Sequence, residues 1–150
     1  MALLTAIVPA AEKSICLMSE DIRMLAAIGF LTARVGLTQS AICIFHGLSV
    51  LRPEADFPQI GMVMAYLAKG DAENALQIAS RNDDQKISPG IEVRALQALS
   101  LHLLDRKAEA SQIAQSFLHH PSFSEGRFPI AEKIATLLLA NKKEYDRYLS

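Results

Sequence analysis

Small residues punctuate this chain at a fixed interval, and that interval limits its fold more than any other feature. Gly36 and Gly70 stand 34 residues apart, each between two helix-forming stretches. Ala41, Ala75 and Ala110 follow at intervals of 34 and 35, and the segments Ala75-Leu-Gln-Ile-Ala79 and Ala110-Ser-Gln-Ile-Ala114 are near-copies. A repeat of this length holds one helix, a tight turn and a second helix. Such a unit cannot bury its apolar face alone and has to stack on its neighbours. No window alternates apolar and polar residues at strand spacing. The period therefore predicts an all-α chain of helical hairpins.

Starts and stops can be read around that period. Ser19 with Glu20 and Asp21 predicts an N-cap and an acidic first turn, for a helix that ends near Gly36. Thr38 opens a second helix that stops before Pro53. Asp56 and Pro58 open a third that ends at Lys69-Gly70, and Asp71 caps a fourth that fades near Arg81-Asn82. Residues 82–88 read as a polar loop. Ser88-Pro89 starts a fifth helix to about Asp105, a sixth runs from Lys107 to Leu118, and a seventh from Pro129 to Leu139. Residues 142–149 suit a short last one. The 150 residues then make one domain: an N-terminal segment 1–18, repeats over 19–122 and C-terminal capping helices over 127–150.

Composition narrows the class further. The chain is 51 % apolar, enough for a real core, and its net charge of −1 gives no electrostatic footprint for nucleic acid. Two cysteines, Cys16 and Cys43, suit a reducing compartment, so the expected location is the cytoplasm. No apolar run approaches the ~20 residues that span a bilayer. Met1–Ala11 is apolar and ends in small residues like a secretory signal, yet it lacks a basic n-region and Pro9 interrupts it. A short docking helix or a leader is the expectation there.

The first unit has Leu25, Ile28 and Gly29 on its first helix and Ala41, Phe45 and Pro53 on its second. These resemble the large, Gly, small, aromatic and terminal-proline positions of tetratricopeptide (TPR) repeats. The second unit keeps Tyr66, Gly70, Ala75 and Ala79 but has Val63 at the Gly position, and the third keeps Ala110, Ala114 and Pro121. The resemblance implies a right-handed α–α superhelix of three TPR-like hairpins plus a C-terminal capping helix. In such stacks the first helix of each hairpin lines the concave surface.

Those first helices are apolar nearly all round, where a surface helix has one apolar stripe. The core side of the first is expected to take Leu25, Ile28, Gly29 and Thr32. That leaves Ala26, Ala27, Phe30 and Ala33 for a groove. The same spacing adds Phe57, Ile60, Met64 and Leu67, then Ala95, Leu96 and Leu99, with Ile130, Ile134 and Leu137 continuing or capping the surface. Three uses stay open: a groove for an amphipathic partner helix, a core covered by the N-terminal segment, or a homodimer interface.

The segments Leu51-Arg-Pro-Glu54, Ala65-Tyr-Leu-Ala-Lys-Gly-Asp-Ala-Glu-Asn-Ala-Leu76 and Ala95-Leu-Gln-Ala-Leu-Ser-Leu-His-Leu-Leu104 resemble the needle-subunit chaperones of type III secretion systems. The resemblance covers roughly residues 20–140. It implies a bacterial cytoplasmic virulence chaperone that holds a helix of a small self-polymerising needle protein, often beside a second small co-chaperone. Two alternatives stay open: a TPR chaperone of translocator proteins, and a self-associating TPR scaffold or regulator. The groove has little charge between Arg23 and Arg34 at one end and His102 at the other, which disfavours a carboxylate-clamp cochaperone.

No catalytic motif, cofactor box or metal-ligand spacing appears, so no enzymatic activity, cofactor or metal is expected. His119 and His120 are neighbours at a helix end, Asp83-Asp84 reads as a solvated turn, and Cys43 reads as a small core residue.

Overall fold

The computed structural model describes residues 19–81, 90–124 and 127–139. Among the described residues are seven helices and no strand: α1 (Ser19–Arg34), α2 (Thr38–Leu51), α3 (Phe57–Lys69), α4 (Ala72–Ala79), α5 (Ile91–Leu103), α6 (Lys107–Leu118) and α7 (Pro129–Leu138). They are the seven helices that the punctuation predicts. The N-terminal segment, the loop at 82–88 and the short helix at 142–149 lie outside the described residues.

The same turn closes three hairpins. Gly36, Gly70 and Asp105 all adopt left-handed backbone, with φ of 84°, 85° and 63°. Each donates its N–H to the carbonyl three residues back: Gly36 to Ala33 at 3.2 Å, Gly70 to Leu67 at 3.0 Å and Asp105 to His102 at 3.1 Å. The next residue reaches back five. Leu37 donates to Thr32 at 2.9 Å, Asp71 to Tyr66 at 2.9 Å and Arg106 to Leu101 at 2.9 Å. This is the Schellman pattern, which satisfies carbonyls that a helix end leaves open. Ala41, Ala75 and Ala110 then follow five residues after each left-handed position, all fully buried. The spacing of 34 and 35 residues in the sequence is thus the spacing of a repeated turn and of the close helix approach behind it.

Packing follows chain order. Every helix packs on its successor, and α1–α3, α3–α5 and α5–α7 also pack together, whereas among the described residues no even-numbered helix touches another. The odd helices therefore form one continuous layer, and each even helix rests on the two odd helices that flank it. One buried cluster draws residues from all seven helices. Near one end of it, the Phe45 ring from α2 is fully buried between α1 and α3. A Cβ on Gly29 would come 2.8 Å from Phe45 Cζ, and one on Gly61 would overlap the ring. Phe30 meets that ring edge-on, with centroids 4.8 Å apart.

Two expectations about the core need correction. Ile28, expected inside, is 43 % exposed, while Gly29 is buried as expected and Ile22 and Ala33 are buried with it. α1 is the end of the described stack, and its stretch from Leu25 to Ala33 is apolar nearly all round, so that stretch carries little signal for which side packs. Cys43 is exposed on α2 rather than buried.

Candidate functional site

Six residues expected in the groove do converge. Met64 and Leu67 of α3, Leu96 and Leu99 of α5, and Ile130 and Ile134 of α7 line a cavity of about 310 Å³, with Lys133 as its one charged lining residue. On each helix the pair is three or four residues apart, the spacing that brings side chains onto one side of a helix. Leu96 and Ile134 are buried and form the floor, while Met64, Leu67, Leu99 and Ile130 are half-buried walls.

Side chains outside the lining tie α3 to α4 and α5 to α7. Gln59 Nε2 donates to the Ile78 carbonyl at 2.8 Å, fixing α3 to the end of α4. The Ala131 N–H donates to Glu92 Oε2 at 3.1 Å, so a side chain of α5 caps α7. Burial pushes the Glu92 carboxyl above the usual glutamate range, and the N–H groups of Ala131 and Ile130 only partly oppose this. Pro129 at the first turn of α7 leaves no further N–H to satisfy there. The connection from α6 into α7 is held by aromatic contacts. Phe123 lies 6.3 Å from Phe117 and stacks on Phe128 at 6.1 Å, with the Arg127 guanidinium 5.6 Å from the Phe128 ring centre.

The other expected groove residues fall elsewhere. Ala33 and Ala95 are sealed in the core, because an alanine between helices packed this closely does not reach the surface. Ala26 and Phe30 are half-buried against the core near α1. Ala27 is exposed on α1 and does not line the cavity. Phe57 and Ile60 begin the row on α3 that Met64 and Leu67 finish, but they pack on the core outside the cavity. Leu137 is 59 % exposed and stands clear of the lining. The cavity thus belongs to α3, α5 and α7, and α1 takes no part in it.

Sequence reasoning missed Glu92 and Gly61. Glu92 reads as an ordinary acidic residue in the first turn of α5, and its partner is 39 residues away. Gly61 lies two positions before the place where the repeat pattern puts its glycine.

Among the described residues no group of three His, Cys, Asp or Glu side chains is placed to hold a metal ion, and no helix is long and apolar enough to cross a membrane. No protein-family model, curated protein or solved structure matches the chain. The geometry and the residues themselves carry the functional argument.

Proposed function

We propose that this protein is a non-enzymatic chaperone that receives an amphipathic helix of a small self-polymerising secreted subunit in the depression between α3, α5 and α7. The observation that carries the reading is the lining: six apolar side chains from three helices with one cation at the rim. An amphipathic helix presents anchors at i, i+3 or i+4 and i+7, and a depression of this kind takes one or two of them. Met64 is unbranched and polarizable, so it adapts to the anchor's shape. Lys133 favours a partner with an acidic residue beside its apolar face.

The fold proposed with this function is a right-handed α–α superhelix of TPR-like hairpins α1–α2, α3–α4 and α5–α6, with α7 as the cap. The order of helix packing and the thrice-repeated turn support it. The mechanism is occlusion. A subunit built to polymerise exposes an apolar helix face, and burying that face holds the subunit as a monomer until export. The resemblance in the sequence names the client class as a type III needle subunit in a bacterial cytoplasm.

The test is native mass spectrometry of the chain purified from the cytosol of its secreting host, beside Met64→Glu and Leu67→Glu variants. Wild type should carry one small helical protein in fixed stoichiometry, and both variants should lose it while their circular dichroism stays helical. Normal binding by both variants removes the depression as the site. A homo-oligomer with nothing bound removes the chaperone reading, and a large partner moves the client to a translocator protein.

A further inference from the structure

The joint between α5, α6 and α7 holds a second cavity, of about 300 Å³, that shares no lining residue with the depression. Ile91 and Phe117 are buried in its lining and Phe128 is half-buried, so much of its wall is aliphatic or aromatic. Arg94, His120 and Ser122 supply the polar part, and Gly90 completes the rim. Apolar walls with a few converging polar groups are the usual make-up of a small-ligand site.

Arg94 is the residue whose placement the packing does not explain. Its Nη2 donates to Ser116 Oγ at 2.9 Å. That hydroxyl donates in turn to the Ile113 carbonyl at 2.7 Å, which orients it to accept from the guanidinium and hold it in place. Arg94 Nε is closed off from water and has no hydrogen-bond partner among the described residues. No described carboxylate forms an ion pair with Arg94, and Asp56, which packs on Gly90, does not line the cavity. Donors of a charged group are costly to bury unpaired, and the planar fork of a guanidinium matches a carboxylate. His120 adds a further donor. Its Nδ1 accepts the Ser122 N–H at 3.1 Å, which leaves the ring proton of the neutral imidazole on Nε2.

We infer that this cavity binds a carboxylate carried on a small aromatic or branched apolar group, with Arg94 as its anchor. Charge favours a carboxylate over a phosphate. One guanidinium beside a neutral imidazole balances a single negative charge, whereas a phosphate monoester brings close to two. Ile91, Phe117 and Phe128 then cover the apolar body, and Arg94 gains the partner that the described chain does not give it. Two sources carry this chemistry: a free small acid, and the C-terminal carboxylate of a polypeptide that ends in an apolar residue. The inference stands apart from the chaperone reading, since the two cavities have no residue in common.

The test titrates the full isotope-labelled chain with hydrocinnamate, with hydrocinnamyl alcohol, and with a short blocked peptide ending in phenylalanine. Hydrocinnamate or the peptide should bind saturably and move the Arg94 Nε–H and Ser122 amide signals, and the alcohol should not. Arg94→Met should weaken that binding about tenfold or more. Arg94→Lys, which keeps the charge without the fork, should weaken it as well, with circular dichroism unchanged in both variants. Tighter binding of hydrocinnamate assigns the site to a free acid. Tighter binding of the peptide, lost on amidating its C-terminus, assigns it to a polypeptide end. Equal binding of acid and alcohol overturns the inference, and this comparison needs no variant to fold. No saturable shift with either carboxylate, or unchanged affinity in Arg94→Met, also overturns it.

Discussion

The turn between α3 and α4 and the turn between α5 and α6 have the same shape and very different residues. In the first, Gly70 holds the left-handed position and Asp71 caps the next helix. Asp71 Oδ1 accepts the Asn74 N–H at 3.1 Å and Oδ2 accepts the Asn74 side-chain amide at 2.6 Å. In the second, Asp105 holds the left-handed position at φ 63°, and Arg106 stands where the cap belongs. Arg106 has no acceptor to offer. Its guanidinium instead donates to both Glu109 carboxylate oxygens, at 2.7 and 2.6 Å. Local preference favours the first turn at both positions. The second turn forms anyway, with the same pair of backbone bonds, because Ala110 docks in the core as Ala75 does. Close packing of the helices behind the turn sets its shape, and the turn residues only tune its stability.

The strongest way to break this comparison is to attack the packing. Ala75→Leu and Ala110→Leu should each destabilise the chain by about 2–3 kcal/mol, read as a lower denaturant midpoint, since neither buried site has room for three more carbons. If both are tolerated, packing does not dictate the turns. Exchanging the turn residues tests the smaller, local contribution. Gly70→Asp should cost about 1–2 kcal/mol through the left-handed penalty. Asp105→Gly should gain up to about 1 kcal/mol, reduced by the greater freedom of glycine in the unfolded chain. Equal effects of the same sign would mean that the two turns are not equivalent after all.

The smallest expected effect concerns two carboxylates that cap helices. Asp71 is held below its ordinary range by the hydrogen bonds from Asn74, so its contribution is present above that range and is lost as pH falls through the folded value. Glu92 is held above its range by burial, so it binds its proton more tightly folded than unfolded. Its contribution is full below the ordinary glutamate range and declines as pH rises through that range toward the folded value. Glu92→Gln keeps a carbonyl acceptor for the Ala131 N–H and removes the buried charge. Denaturant midpoints measured between pH ~4 and ~7 should therefore fall less with rising pH in Glu92→Gln than in wild type. An unchanged slope would show that Glu92 is not the group responsible.

What could be read from the sequence divides along the same line. The helices were legible because their ends are marked by local chemistry, as at Pro58, Gly70 and Asp71. All of the candidate site's lining except Lys133 was legible, because Met64, Leu67, Leu96, Leu99, Ile130 and Ile134 share one phase once the hairpin repeat is known. The phase of α1 was not, because its stretch from Leu25 to Ala33 is apolar nearly all round and gives no preferred direction, and Ile28 went to the wrong side. The left-handed Asp105 was not legible either, since nothing local to it asks for that conformation. Glu92 stayed hidden because the cap that it provides belongs to a helix far along the chain.

The aromatic ring of Phe45 adds a last consequence, for how such a chain evolves. It comes from the first hairpin and rests against Gly29 of that hairpin on one side and Gly61 of the next on the other. The hairpins are therefore not interchangeable modules. A duplication, deletion or shuffling event that moves the first hairpin without its successor separates a key from half of its lock. Any larger residue at Gly61 has to arrive together with a smaller one at Phe45. Two repeats that look independent along the sequence are inherited as one unit.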